Sequence, residues 1–128
     1  MTFATDIFQT PDGIHLRFGV QTPENARQHV LILQGRGEYI ERYQETADEL
    51  AERGFGCVTF DFRGHGGSSR ATNDPVMGYV HDVAQYIADT RHVIDHVKNV
   101  YGISCPLLIT HSTGGLVAMA MMLDQPDL

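Results

Sequence analysis

Residues 106–115 read Pro-Leu-Leu-Ile-Thr-His-Ser-Thr-Gly-Gly. The apolar run Pro106 to Ile109 reads as a strand, and the two glycines open a second apolar segment, Gly115 to Leu123, that predicts a helix. A strand thus runs into a tight turn with Ser112 at its tip, and a helix follows. A serine in that position has two readings. It can cap the helix, its oxygen accepting from the N–H groups that the first turn leaves without partners. Or the bend can be sharp enough to lift the hydroxyl clear of the sheet, where it is free to react. The sequence upstream decides between them.

Outward from this turn, strand and helix alternate. His29 to Gln34 (HVLILQ) is too short and too continuously apolar for a surface helix, and suits a strand covered on both faces of a parallel sheet. Ile40 to Arg53 sets Ile40, Tyr43, Ala47, Leu50 and Ala51 on one helical stripe, with Gly54 as the stop. Phe55 to Phe60 (FGCVTF) is a second buried strand, and Asp61 to Ser69 is too rich in glycine and serine to be anything but a loop. Tyr79 to Lys98 recovers helical spacing through Val80, Val83, Ala84, Ile87, Ile94 and Val97. Before all of these, Asp6 to Thr10 and Ile14 to Gln21 flank Pro11-Asp12-Gly13, a turn signal that predicts an antiparallel hairpin. The expectation is a single α/β domain over residues 1–128: an N-terminal β-hairpin, then (β-α)3 with a mostly parallel sheet.

Composition narrows the function classes. The chain has 128 residues, 42% hydrophobic and 20% charged, an ordinary globular balance with enough apolar side chains for a core. Nine basic against sixteen acidic residues, a formal charge of −7 without blocks of either sign, leave no footprint for nucleic acid and disfavour anionic partners. The N-terminus has neither the basic start nor the apolar core of a signal peptide, and the longest apolar run, Leu116 to Leu123, is far short of the roughly 20 residues that span a bilayer. No integral membrane segment is expected, and the cytoplasm is the default location. Cys57 and Cys105 show no CxxC spacing and no histidine placed as a zinc partner, so they read as buried free thiols and no metal site is predicted.

Three blocks in chain order carry the functional signal: Gln34-Gly35-Arg36-Gly37-Glu38, Asp61-Phe62-Arg63-Gly64-His65-Gly66-Gly67-Ser68, and His111-Ser112-Thr113-Gly114-Gly115. Together they resemble the α/β-hydrolases of the lysophospholipase and monoacylglycerol-lipase type. The resemblance covers nearly the whole chain and the N-terminal half of that family's usual domain. It implies a serine ester hydrolase without a cofactor, acting on a small-molecule or lipid ester. Ser112 would be the nucleophile of a nucleophile elbow, and the backbone N–H groups of Arg36 and Thr113 would form the oxyanion hole. Gly35, His111, Gly114 and Gly115 would support the elbow and its facing loop. The chemistry is consistent: a tetrahedral intermediate needs donors aimed at its developing charge, and a helix N-terminus after the serine adds a favourable dipole. Thr110 stands where the family pattern most often has glycine, and Gln34 where a histidine usually precedes the oxyanion glycine.

The same residues carry other readings. Gly35-Arg36-Gly37-Glu38-Tyr39-Ile40, with Asp61 beyond it, has the outline of a dinucleotide-binding turn, but Ile40 replaces the third glycine and Asp61 lies farther along than the roughly twenty residues expected. The resemblance implies a structural part for Arg63 and His65, packing near the mouth of the site, and His65, at the C-terminal end of its strand, is the one histidine obviously on the same rim as Ser112. His111 reads as a packing residue, by strand alternation. His81, His92 and His96 read as a solvated helix face; the 92/96 spacing suits a metal but no HExxH pattern accompanies it.

Residues 113–128 contain Asp124 and Asp127 but no histidine, whereas in this family the acid and the base both follow the nucleophile. The chain alone is therefore expected to be inactive and to be a truncated domain. A non-catalytic α/β module is the alternative. By the family's sheet order the His29 strand lies between the Phe55 and Pro106 strands. That order separates Cys57 from Cys105 by roughly 9.5 Å, too far for a disulfide. It also leaves Pro106 to Thr110 as an apolar edge beside the all-apolar Leu116 to Leu123 helix, a surface for self-association.

Overall fold

The computed structural model describes residues 1–69, 83–105 and 107–124. Five strands form one sheet: β1 (Ala4–Gln9), β2 (His15–Gln21), β3 (Gln28–Leu33), β4 (Phe55–Phe60) and β5 (Leu107–Thr110). Their spatial order is β1-β2-β4-β3-β5. The β1/β2 hairpin is antiparallel, and β2 docks antiparallel on β4 through Phe18↔Phe60 and Val20↔Val58. β3 lies parallel to both β4 and β5, with Leu33 opposite Thr110. The helices are α1 (Gln44–Glu52), α2 (Val83–Tyr101) and α3 (Thr113–Asp124). Among the described residues no helix is long and apolar enough to cross a membrane.

Alternation along β3 and β4 builds the two sides of the core, because successive strand residues face opposite ways. Leu31, Leu33, Val58 and Phe60 pack with Leu16, Phe18 and the α2 and α3 residues Tyr86, Val93, Val97, Val117 and Met121. Val30, Ile32 and Cys57 pack on the other side with Ala47, Tyr43 and Leu50. A strand buried on both faces has no polar alternation, hence the continuous apolar runs in the sequence. Cys57 belongs to the second cluster and Cys105 borders the first. Both thiols are free, and burial pushes each up to about 11.

The predicted strands agree with the observed ones to within a residue or two; Pro106 lies outside the described residues. Three helix expectations need revision. Residues Ile40–Tyr43 form a 3-10 turn, and the α-helix begins only at Gln44. The buried Asp61 carboxylate takes the Ile40 N–H at 2.8 Å, so a residue outside the helix holds its first turn. The predicted stop is observed: Gly54 takes φ +86° and donates to Ala51 O. In α2 the buried stripe is Tyr86, Ile87, Asp89, Thr90, Val93 and Val97, while Val83 and Ala84 are exposed. Two of those stripe residues, Asp89 and Thr90, are polar, and a purely apolar periodicity does not register them. Tyr79 to His81 lie outside the described residues. Finally, α3 starts at Thr113, immediately after Ser112, two residues earlier than expected.

The expected uncovered edge is present. Among the described residues β5 pairs only with β3, and Leu107 and Ile109 are exposed. α3 buries Gly114, Val117, Ala118 and Met121 against the sheet and leaves Leu116, Met119, Met122 and Leu123 exposed.

Candidate active site

Ser112 stands between β5 and α3 with φ +53°, in the left-handed region. Among the described residues only Asn25 shares that region without being glycine. Such a conformation costs a residue with a Cβ about 1–2 kcal/mol, so neighbouring contacts must impose it. Two are visible. His111 N–H donates to Leu33 O at 3.1 Å, extending the β3–β5 pairing into the turn. The first turn of α3 then lies against the end of β3 so closely that a Cβ on Gly114 would sit 2.1 Å from Leu33 O and 2.8 Å from Gln34 O. Only glycine fits there. At Gly115 the same Cβ would meet Thr110 Oγ1 at 3.4 Å, an ordinary contact, so Thr110 is accommodated.

An N-capping serine has extended backbone and bonds the N–H groups of the first turn through its side chain. Ser112 does neither. It is exposed, its hydroxyl has no hydrogen-bond partner among the described residues, and the first-turn N–H groups of Gly115 and Leu116 go to its main-chain oxygen instead.

Facing the turn, the segment after β3 makes a tight turn of its own. Glu38 N–H donates to Gly35 O at 3.3 Å and Gly37 has φ +80°, as the third position of a type II turn requires. The backbone N–H groups of Arg36 and Thr113 have no partner among the described residues. Glu38, quoted in the sequence reading without a role, links this turn to the elbow. Its Oε1 accepts from Gly35 N–H at 2.6 Å, from Tyr43 Oη at 2.7 Å, and lies 3.0 Å from His111 Nδ1. Burial works to raise the Glu38 carboxyl, but the bonds from Tyr43, His111 and Gly35 outweigh it and hold the group below the usual range. Tyr43 is pushed up to about 12, by burial first and then by its bond to Glu38.

Several expectations are corrected. His111 is not a packing residue: β5 ends at Thr110, strand alternation no longer orients the next side chain, and the ring is 65% exposed beside Glu38. His65 offers no exposed ring to the site. It is buried, with Nδ1 3.1 Å from Arg63 O. Arg63 does have a structural part, gripping Asp89 through two 2.7 Å bonds and Asp12 through one of 3.0 Å. His96 is not solvated but stacks on Phe8 at 4.3 Å, with Phe18 edge-on. His92 lines a cavity with Asp12, Arg63 and Asp89. His81 lies outside the described residues.

Asp61, the acid of the dinucleotide reading, is fully buried and committed to Ile40 N–H, Gly67 N–H and Arg17. It has no exposed oxygen to offer a ribose. Among the described residues no three histidine, cysteine or acidic side chains gather as a metal site.

Comparison with known proteins bears on this geometry. Residues 24–128 match the family described as serine aminopeptidase, S33. The probable lysophospholipase L2 of Haemophilus influenzae is 31% identical over 97 residues, which cover 75% of this chain and 30% of that protein. Lysophospholipase L2 of Escherichia coli is 28% identical over 119 residues, covering 93% of this chain and 35% of the relative. The chain thus spans about a third of the length of the curated relatives it matches. In structure it superposes on epoxide hydrolase VrEH1 from Vigna radiata with a TM-score of 0.75 at 21% identity, over 98% of this chain and 35% of the other.

Proposed function

The chain belongs to the serine aminopeptidase, S33 family of α/β-hydrolases, and from that premise we propose that Ser112 is the nucleophile of an ester hydrolase. The observation that carries this reading is the backbone of Ser112: a left-handed serine between a strand and a helix, exposed, its hydroxyl without a partner among the described residues. In the proposed reaction Ser112 Oγ attacks the ester carbonyl carbon while a base takes its proton. The carbonyl oxygen becomes an oxyanion facing the Arg36 and Thr113 N–H groups, which have no partner among the described residues and so give up no bond seen there when they donate. Collapse expels the alcohol, which leaves with the proton, and water then releases the acyl group from Ser112. The names of the relatives suggest a lysophospholipid or another lipid ester as substrate.

Residues 113–128 hold no histidine, and His111 turns its Nδ1 to Glu38. We therefore assign the base and the acid to sequence outside residues 1–128. The same observation favours a second reading, a non-catalytic α/β module that keeps the elbow without its base. A fluorophosphonate probe separates the two. Labelling of the wild-type chain that disappears in Ser112→Ala supports the nucleophile; equal labelling, or none, in both supports the module.

We also propose that the β5 edge and the outer face of α3 associate with a second copy of the chain or with further sequence of a longer protein. Their exposed Leu107, Ile109, Leu116, Met119 and Leu123 support this. Light scattering that finds a stable monomer with no affinity for a hydrophobic dye would rule it out.

A further inference from the structure

We infer that Glu38 is a positioning residue that sets the geometry of the oxyanion site, an inference that rests on the nucleophile reading of Ser112. One carboxylate oxygen, Oε1, binds both halves of that site. On one side it takes the N–H of Gly35 at 2.6 Å, and on the other it meets Nδ1 of His111 at 3.0 Å. Gly35 directly precedes Arg36, and His111 lies two residues before Thr113. The remaining bond, from Tyr43 Oη at 2.7 Å, ties the same oxygen to the 3-10 turn ahead of α1. The loop and the elbow are 73 positions apart in sequence and share this one acceptor.

The main chain of Glu38 acts on the same peptide. Its N–H holds Gly35 O at 3.3 Å. In a planar trans peptide the C=O and the next N–H point in opposite directions. Holding Gly35 O inward therefore turns the Arg36 N–H outward, where it has no partner among the described residues. Gly35 has to be glycine for the carboxylate to come this close, since a Cβ there would lie 2.7 Å from Glu38 Oε1 and 2.8 Å from His111 Nδ1. Replacing the carboxylate frees the loop from the elbow without removing any donor. A misplaced donor costs rate or affinity much as a missing one does.

The test uses the 128-residue chain and phenylboronic acid, which forms a tetrahedral adduct on a serine and carries its negative charge where an oxyanion would sit. Boron NMR reads the adduct directly and its titration gives an affinity. The expected result is an adduct that is absent in Ser112→Ala, weakened about 10- to 100-fold in Glu38→Ala, and largely restored in Glu38→Gln, which keeps an acceptor oxygen for Gly35. A merely structural Glu38 would lower the melting temperature and leave the affinity of the folded chain unchanged. Should Glu38→Ala fail to fold, His111→Phe, at the exposed end of the clamp, carries the same test. Adduct affinity in the folded variants equal to wild type overturns the role of Glu38 while Ser112 stands. No adduct in wild type and Ser112→Ala alike overturns the nucleophile reading and this role with it.

Discussion

Ser112 holds φ +53° although it has a Cβ, at a cost of about 1–2 kcal/mol. Glycine at that position removes the cost but frees the unfolded chain, so Ser112→Gly should raise the unfolding free energy by at most about 1 kcal/mol while abolishing probe labelling. A clear loss of stability in urea titration would mean that the hydroxyl, not the backbone, is what the fold needs. The paired glycines make a sharper comparison. Gly114→Ala drives a Cβ into the main chain of Leu33 and should destabilise by about 1–3 kcal/mol. Gly115→Ala meets only Thr110 at contact distance, and, lying in the first turn of a helix, should be neutral or stabilising by up to about 1 kcal/mol. Glu38 predicts a pH effect. Its native pKa is depressed below the usual glutamate value, despite burial, by Tyr43, His111 and Gly35, with Arg42 the other charge nearby. The stabilisation is therefore complete above the ordinary carboxylate range and is lost as pH falls through the native value. Thermal unfolding of Glu38→Gln across acid pH should be flatter than that of wild type.

The elements show where periodicity succeeds and where it misses. β3 and β4 were legible because a run buried on both faces is apolar throughout, and the hairpin because Pro11-Asp12-Gly13 marks its turn. α2 was legible as a helix but its buried face was not, since Asp89 and Thr90 lie on it. Asp89 is there because Arg63, far away in sequence, comes back from the loop after β4 to grip it, and Thr90 because its hydroxyl donates to Tyr86 O at 2.8 Å. No local pattern reports the Arg63–Asp89 pairing. Arg63→Ala leaves the fully buried Asp89 carboxylate without its cation and should cost about 3–5 kcal/mol in denaturant unfolding. The start of α1 was placed on Ile40 by its apolar stripe, yet the α-helix begins at Gln44 because Asp61 holds the Ile40 N–H. His96 likewise read as solvated from its own helix alone; its ring is covered by Phe8 of the hairpin.

For the whole molecule, the β5 edge and the outer face of α3 both expose large apolar side chains. Met119→Lys with Leu123→Lys should reduce self-association in light scattering while changing unfolding free energy by no more than about 0.5 kcal/mol, because neither side chain is packed. Unchanged association would place the contact elsewhere. The sequence by itself determined the kind and order of the elements, the glycine stops and the position of Ser112 at a strand-to-helix turn. Those depend on periodicity and turn chemistry within a few residues. The tertiary structure alone decided that the hairpin docks on β4, that His65 is buried while His111 is exposed, and that Glu38 ties the loop after β3 to the elbow. These are contacts between residues far apart along the chain, and a side chain's partner across such a distance is set by how the sheet and helices pack.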